Sequence, residues 1–457
     1  MTKNTPTKDK SLSSPDQSAA IILAAGLGTR MKSGFPKVMH KVGGQPMICH
    51  VIETLKRVGI KKIIVVVSKD MESLENIVKP YPTVVQTKQL GTGHAVKAAL
   101  KKLDGSEKNV LVMFGADPLI LPQTIKKMII RREQYDNPAA VALGFKTKNP
   151  KTYGRLITNS ADKLDGIVEA KDASPEQLAI RLCNAGTMAI DGFLIKSLIN
   201  SINNRNSKKE YYLTDLIKIA HKRGHTCAYV EGSEEELIGV DNRADLARAE
   251  ALFQTRARKA VMKKGVTLID PSSTYFSWDT RVGKDVIIEP NVFLAPGVTI
   301  RENVTIRSFC YLEDAFISEG CVIGPFARLR PGTKISKKAK IGNFVEVKNS
   351  AIGPNVNINH LSYIGDAFVG QGSNIGAGTI TCNFDGISKH QTKIGKNTFI
   401  GSNSSLIAPL SVGDGATIGA GSAINKNVSD GALSLTRAPQ KEIQDWDKQI
   451  KRNANRK

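Results

Sequence analysis

Five residues in the second half of the chain, in stretches where a six-residue regularity is interrupted, have types suited to holding an anion and moving a proton. Arg330 in "FARLRPG" and Lys348 in "GNFVEVKNS" are fixed cations of the kind that hold a phosphate. Tyr363 in "NHLSYIGDA" and Asn374 in "NIGAGTITCNFDG" add neutral polar contacts, and His360 is the only histidine in these stretches. A reaction that takes a proton from its nucleophile needs a base that works near neutral pH, and imidazole is matched to that task. A solvated histidine at a chain corner is the plainer alternative.

A second group lies near the start, in "LAAGLGTRMKSGFPK" from Leu23 to Lys37, directly after the apolar run "AAII". Gly26 and Gly28 let backbone N–H groups approach an anion, and Arg30 and Lys37 can neutralise it. The third glycine of a dinucleotide fingerprint would fall at Met31, and no Gly-Lys-Ser/Thr follows, so neither a dinucleotide turn nor a Walker A loop fits. A plain strand-to-helix turn remains the alternative.

These residues need elements to position them. Up to about residue 240, short β-branched runs such as "AAIILAAG", "KKIIVVVS" and "NVLVMFG" alternate with amphipathic segments such as "MICHVIETLKRVG". That rhythm predicts a mostly parallel, Rossmann-like α/β sheet with its ligands at the carboxyl ends of the strands. "DNRADLARAEALFQTRARKAVMKKG" then puts Leu246, Ala249, Phe253, Ala257 and Ala260 on one stripe of a long connecting helix that stops at Gly265. Beyond it an aliphatic residue recurs every six positions: Val286, Val292, Val298 and Val304; Ile335, Ile341 and Val347; Ile352, Ile358 and Ile364; Ile394, Ile400, Leu406, Val412, Ile418 and Ile424. Neither a helix nor an alternating strand has this period, whereas a solenoid with one inward side chain per flat side does. A glycine often follows the aliphatic, where a corner must turn without a Cβ conflict. The expectation is a parallel β-helix.

Composition narrows the class. In 457 residues, Lys and Arg exceed Asp and Glu by 23, a field that attracts nucleotides, phosphorylated sugars or nucleic acid. The charge is dispersed and aromatics are only 5% of residues, so a nucleic-acid stacking surface is disfavoured. Cys49, Cys183, Cys227, Cys310, Cys321 and Cys382 form no CxxC pair or metal-spaced set, which points to reduced thiols, an intracellular setting and no zinc module. Residues 1–18 carry no apolar core and read as a flexible tail, and no run reaches the length of a membrane span. The expected compartment is the cytoplasm, with no membrane and no nucleic acid as partner.

The stretch "LAAGLGTRMKSGFPKVMHKVGGQPMICHV" resembles the signature of sugar-phosphate nucleotidyltransferases. "QTKQLGTGHAV", "YGRLI", "IVEAKDAS" and "CNAGT" narrow the resemblance to the bacterial bifunctional family that joins N-acetylglucosamine-1-phosphate uridylyltransferase to glucosamine-1-phosphate N-acetyltransferase. It covers Ala19 to Gln440, with the motifs in the family's order. It implies a tail at 1–18, a nucleotidyltransferase domain at 19–241, a linker helix at 242–265, a left-handed β-helix of hexapeptide repeats at 266–436 and a tail at 437–457.

The resemblance also assigns roles. Leu23, Ala24, Ala25, Gly26 and Gly115 would line the nucleotide, Arg30 and Lys37 its phosphates, Gln86, Gly91 and Thr92 the uracil, and Gly154, Glu169 and Asn184 the sugar. In the second half His360 would be the base, Arg330, Lys348, Tyr363 and Asn374 the sugar-phosphate contacts, and Ala377, Asn383, Phe384, Ser402, Ala420 and Arg437 the acetyl-CoA contacts. UTP and acetyl-CoA are the implied co-substrates, Mg²⁺ the metal, a homotrimer the assembly, and precursor supply for peptidoglycan and lipopolysaccharide the purpose. Two positions depart from the pattern. The family reads Gly-Asp-x-Pro-Leu where this chain has "GADPL", so Ala116 replaces the metal-binding Asp and Asp117 follows it; the second ligand, Asn in the family, is Asp241. Neighbours on an extended segment point to opposite sides, so Asp117 can serve only if the backbone shifts. A rebuilt metal site and an enzyme that keeps acetyl transfer alone both follow from this reading. At Phe384 the family has Tyr, which removes one hydroxyl.

Overall fold

In a computed structural model the structure describes residues 17–150, 152–160 and 163–448. The tail expected at 1–18 falls almost wholly outside them, as does the end of the tail expected at 437–457. Two compact units divide between Thr255 and Arg256.

The first unit is built on β1 (Ser18–Leu23), β2 (Lys62–Val67), β3 (Thr83–Val85), β4 (Asn109–Phe114), β5 (Ala140–Lys146), β6 (Arg155–Ser160), β7 (Lys163–Val168), β8 (Leu182–Asp191) and β9 (Cys227–Glu231). They form one sheet in the order β3-β2-β1-β4-β8-β5-β9-β7-β6. The first four strands pair in parallel, and β1, β2 and β4 are buried on both faces, as their unbroken apolar runs require, while β3 is the edge. The sheet is more mixed than the sequence rhythm suggests. β8 runs antiparallel to both β4 and β5, and β6 with β7 is an antiparallel pair. Helix α1 (Met47–Val58) buries Met47, Ile48, Val51, Ile52, Leu55 and Val58 on one stripe, and Gly59 ends it in the left-handed conformation. Helix α2 (Thr92–Ala99) starts at the mouth of the sheet, and α3 (Pro122–Arg132) follows β4.

Helix α4 (Arg243–Met262) is the connecting helix. Leu246, Ala249 and Phe253 pack on the core of the first unit, while Ala257 and Val261 pack on that of the second. The buried face therefore turns along the helix: Gln254 is buried and Ala260, expected on the stripe, is exposed.

The second unit is a prism of three parallel sheets with 10, 8 and 8 strands, the arrangement of a left-handed parallel β-helix. Ile335, Ile341 and Val347 fall on its three sides in turn, then Ile352, Ile358 and Ile364 on the next coil, all almost completely buried. Each such side chain contributes roughly 1.5–3 kcal/mol relative to exposure, so the six-residue period records the core directly. A coil spans 17 or 18 residues, as the pairs Ile341–Ile358 and Ile323–Ile341 show. Between Ile375 and Ile400 the spacing stretches to 25, because a loop at 383–391 leaves the prism. The corner glycines avoid a Cβ conflict, as expected, and the conflict they avoid is with the next coil rather than within a left-handed turn. Gly342 has no left-handed conformation; a Cβ there would strike the Asn359 carbonyl of the next coil. Left-handed geometry falls two residues later, on Phe344, and likewise on Asn355 and Asn403.

Candidate active sites

The first unit holds a cavity of about 530 Å³ at the carboxyl ends of β1 and β4. Leu23, Ala24, Ala25, Gly26, Arg30, Lys37, Gln86, Gly91, Thr92, Gly154, Glu169, Asn184, Asp117 and Asp241 all line it. Gly115 does not; it lies under the loop, where a Cβ would meet Val38, Ile22 and Ile48. Two glycines earn their place by geometry. Gly28 has φ +63° and a Cβ on it would sit 2.7 Å from Lys37 Cβ, so its absence lets Lys37 close on the loop. Gly91 has φ +109°, and a Cβ would meet the Tyr211 carbonyl at 2.6 Å. Gln86 Nε2 donates to Gly91 O at 3.1 Å and also lies 3.1 Å from His94 Nδ1. The Gln86 carbonyl oxygen is thus left as the acceptor a base edge can use.

Two cations and two carboxylates of the lining interact with one another. Lys37 Nζ donates to Asp241 Oδ1 at 2.8 Å and Arg30 Nη2 pairs with Asp241 Oδ2 at 3.1 Å. Burial works to raise the Asp241 carboxyl, but Lys37 and Arg30 hold it below its ordinary range. Asp117 is buried and its Oδ2 has no hydrogen-bond partner. Burial, opposed by Lys37 and reinforced by Asp241, pushes Asp117 up to about 8. The opposite-sides argument from the sequence does not apply, because β4 ends at Phe114 and the chain turns, so Ala116 and Asp117 both line the cavity. Val240 N–H donates to Ala116 O at 3.1 Å and lays the segment that carries Asp241 beside that turn. Among the described residues no cluster of three or more metal-binding side chains exists. Two carboxylates are nevertheless what Mg²⁺ takes when substrate phosphates complete its shell, and an orphaned buried carboxylate oxygen fits that ion.

Some cavity residues were not legible as site residues in the sequence. Tyr212 is a buried tyrosine in the lining, and Thr214 Oγ1 donates to Glu169 Oε1 at 3.2 Å. Lys208 lies near enough to Glu169 to oppose the rise that burial gives its carboxyl. All three come from the segment after β8, and only "KKEYYLTD" as a polar insert between apolar stretches could have pointed to it.

In the second unit His360 is exposed at a corner of the prism, and its Nδ1–H donates to Asn343 Oδ1 at 2.7 Å on the preceding coil. That bond leaves Nε2 as the free base. Along the same corner Leu361, Gly378, Asn403 and Gly421 each donate to the coil before, to the carbonyls of Asn343, His360, Ala377 and Ser402. His360, Ala377, Ser402 and Ala420 thus form one column, and Arg437 lies over Gly419 and Gly421 at its end. Arg330, Lys348 and Tyr363 stand on successive coils of the adjoining side, and Asn374 is one coil beyond His360 on the other. Arg330 Nη1 donates to Glu346 Oε1 at 2.8 Å. Asn383 donates to Asp366, which also takes the Asn349 amide, and Phe384 is exposed on the 383–391 loop. Sequence reasoning missed Lys389 on that loop. Lys348 stands beside it and holds its ammonium below the usual lysine range, so the two form a cation pair built for an anion.

The fold and sites are those of a nucleotidyltransferase joined to a hexapeptide-repeat transferase. Residues 20–177 match the MobA-like NTP transferase domain, residues 279–314 the bacterial transferase hexapeptide (six repeats), and residues 391–426 the hexapeptide repeat of succinyl-transferase. The chain is 51% identical over 431 residues to the bifunctional protein GlmU of Paramagnetospirillum magneticum, covering 94% of this chain and 95% of that one. Those of Rhodospirillum rubrum and Zymomonas mobilis are 49% and 44% identical, over 94% and 96% of this chain and 96% and 98% of theirs. The chain belongs to the GlmU family of bifunctional proteins.

Proposed function

We propose that the chain makes UDP-N-acetylglucosamine in two steps. In the second unit the amine of glucosamine 1-phosphate attacks the thioester carbonyl of acetyl-CoA, His360 Nε2 takes the amine proton, and that proton passes to the departing sulfur so that CoA leaves as the thiol. Arg330, Lys348 and Lys389 hold the phosphate, with Tyr363 and Asn374 on the sugar. Ala377, Asn383, Phe384, Ser402, Ala420 and Arg437 hold acetyl-CoA, and corner N–H groups face the developing oxyanion. In the first unit a phosphate oxygen of N-acetylglucosamine 1-phosphate attacks the α-phosphorus of UTP and pyrophosphate leaves. Gln86, Gly91 and Thr92 read the uracil, Gly154, Glu169 and Asn184 the sugar, and Arg30 and Lys37 neutralise the phosphates. Asp117 and Asp241 would hold Mg²⁺, which would add to that neutralisation. The observation that supports the reading is the single cavity whose lining brings Arg30, Lys37, Asp117 and Asp241 together with Gln86, Thr92, Glu169 and Asn184. Purified protein given acetyl-CoA and glucosamine 1-phosphate should release CoA thiol, and given UTP, N-acetylglucosamine 1-phosphate and Mg²⁺ it should release pyrophosphate. CoA release without pyrophosphate would leave an acetyltransferase alone.

The site in the second unit is an exposed edge, and a second copy of the chain would supply its other wall. Phe309, Phe326 and Phe344 stack at 4.8 and 5.1 Å down the corner that carries His360, each about half exposed. Such a ridge supports a symmetric homotrimer through the prism. Phe326→Asp is expected to shift the sedimenting species from trimer to monomer and lower acetyl transfer at least about tenfold, because desolvating a buried carboxylate opposes assembly. Uridylyl transfer should stay within about twofold. A trimer of normal activity would refute this interface. Among the described residues no helix is long and apolar enough to cross a membrane, and all six cysteines are free thiols, which supports a cytoplasmic setting.

A further inference from the structure

The segment that opens α4 braces the phosphate-binding loop through Asp241 and Arg243. Asn242 Oδ1 accepts from Ala244 N–H and Asp245 N–H at 2.9 and 3.0 Å, and Asp245 Oδ2 accepts from Asp241 N–H at 3.2 Å. These bonds set Asp241 and Arg243 on a fixed base. From it Asp241 reaches Arg30 and Lys37, as described above. Arg243 reaches the backbone frame that carries those two cations. Its Nε–H donates to Met31 O at 3.1 Å, and its Nη1 lies 3.3 Å from His40 Nδ1.

Each of those contacts ends on a turn that presents one cation. Met31 closes the turn Thr29–Met31, donating its N–H to Gly28 O at 2.8 Å, and its side chain is buried; Arg30 is the middle residue of that turn. His40 closes the turn Lys37–Met39, donating its N–H to Lys37 O at 3.2 Å. The Arg30 side chain is 68% exposed, so packing does not fix its aim. An exposed arginine would ordinarily pair with a carboxylate. Arg243 instead takes two neutral acceptors, one on each turn, which only a planar multi-donor fork can do at once.

We infer that Arg243 is a positioning residue for uridylyl transfer, clamping the Thr29–Met31 and Lys37–Met39 turns so that Arg30 and Lys37 converge on the triphosphate. The inference rests on the reading of the first unit given above. It does not place Arg243 on the substrate.

The full-length chain provides its own control, because acetyl transfer reports on a different unit. Arg243→Ala should lower kcat/KM for UTP about tenfold and weaken UTP binding by calorimetry to a similar degree, with acetyl transfer and melting temperature unchanged. Arg243→Lys should recover little, since one ammonium cannot serve both turns. His40→Ala should give a smaller loss, and the double variant His40→Ala with Arg243→Ala should be no worse than Arg243→Ala alone. Wild-type turnover that Arg243→Ala leaves unmoved, full rescue by lysine, or a parallel loss of acetyl transfer would each overturn the clamp. Absence of pyrophosphate release from the wild-type chain would overturn it together with the reading it rests on.

Discussion

His360→Ala is expected to lower acetyl transfer about 10²–10⁴-fold, the usual worth of a positioned general base, and to leave uridylyl transfer at its wild-type rate. The expectation follows from the bond to Asn343. Nδ1 is engaged by Asn343, so Nε2 is the ring nitrogen left to accept a proton, at an exposed corner where an amine can reach it. No other described histidine shares that corner: His390 pairs with Asp385 at 2.7 Å within its own loop. Asn343→Ala should cost less, about tenfold, since imidazole survives but its tautomer is no longer fixed. CoA thiol release at one fixed pH compares the two variants. A His360→Ala rate within about twofold of the wild type would assign the base to another group. Pyrophosphate release from UTP and supplied N-acetylglucosamine 1-phosphate is the control, and equal damage to it would mean that His360 supports the fold.

The prism was readable because its physics is one-dimensional. Each inward aliphatic, from Val286 to Ile424, answers only to the coil above and below, so position in sequence gives position in the core. The first unit was readable through buried parallel strands and through Gly28, Arg30 and Lys37, where loop chemistry is local. What escaped is set by contacts far apart in the chain. Asp117 lines the cavity on a turn whose Ala116 carbonyl is bonded by Val240, more than a hundred residues away, and nothing near "GADPL" encodes that bond. Arg243 meets Met31 and His40 across a similar separation. Lys389 reaches Lys348 only because the 383–391 loop folds back over the prism edge, and a break in hexapeptide regularity marks the loop but not its direction. Gly115 shows the reverse error: a residue inside a recognised motif that serves packing rather than the cavity wall.

Asp117 carries the other large effect. Asp117→Ala is expected to reduce pyrophosphate release at least about 100-fold, since it removes one of two carboxylates able to balance a divalent cation and its triphosphate, a contribution of several kcal/mol. Acetyl transfer should be untouched. The group also predicts a stability signature that needs no turnover. Burial raises the folded carboxyl from 3.8 to about 8, while the unfolded chain releases that proton near the ordinary value. Between those values the folded state binds the extra proton, so this group's contribution to stability falls as pH rises through the window. Asp117→Asn does not titrate. In magnesium-free buffer it should therefore melt above the wild type at pH 7, with a gap that widens from pH 5 toward pH 8 and closes near pH 4. Adding Mg²⁺ with UTP should raise the wild-type melting temperature more than that of the variant, because binding to the folded state alone stabilises it. A gap independent of pH would show that Asp117 is already ionised in the free protein. An equal shift in both proteins on adding Mg²⁺ and UTP would remove Asp117 from the metal site, and uridylyl transfer would then have to run on Asp241 alone.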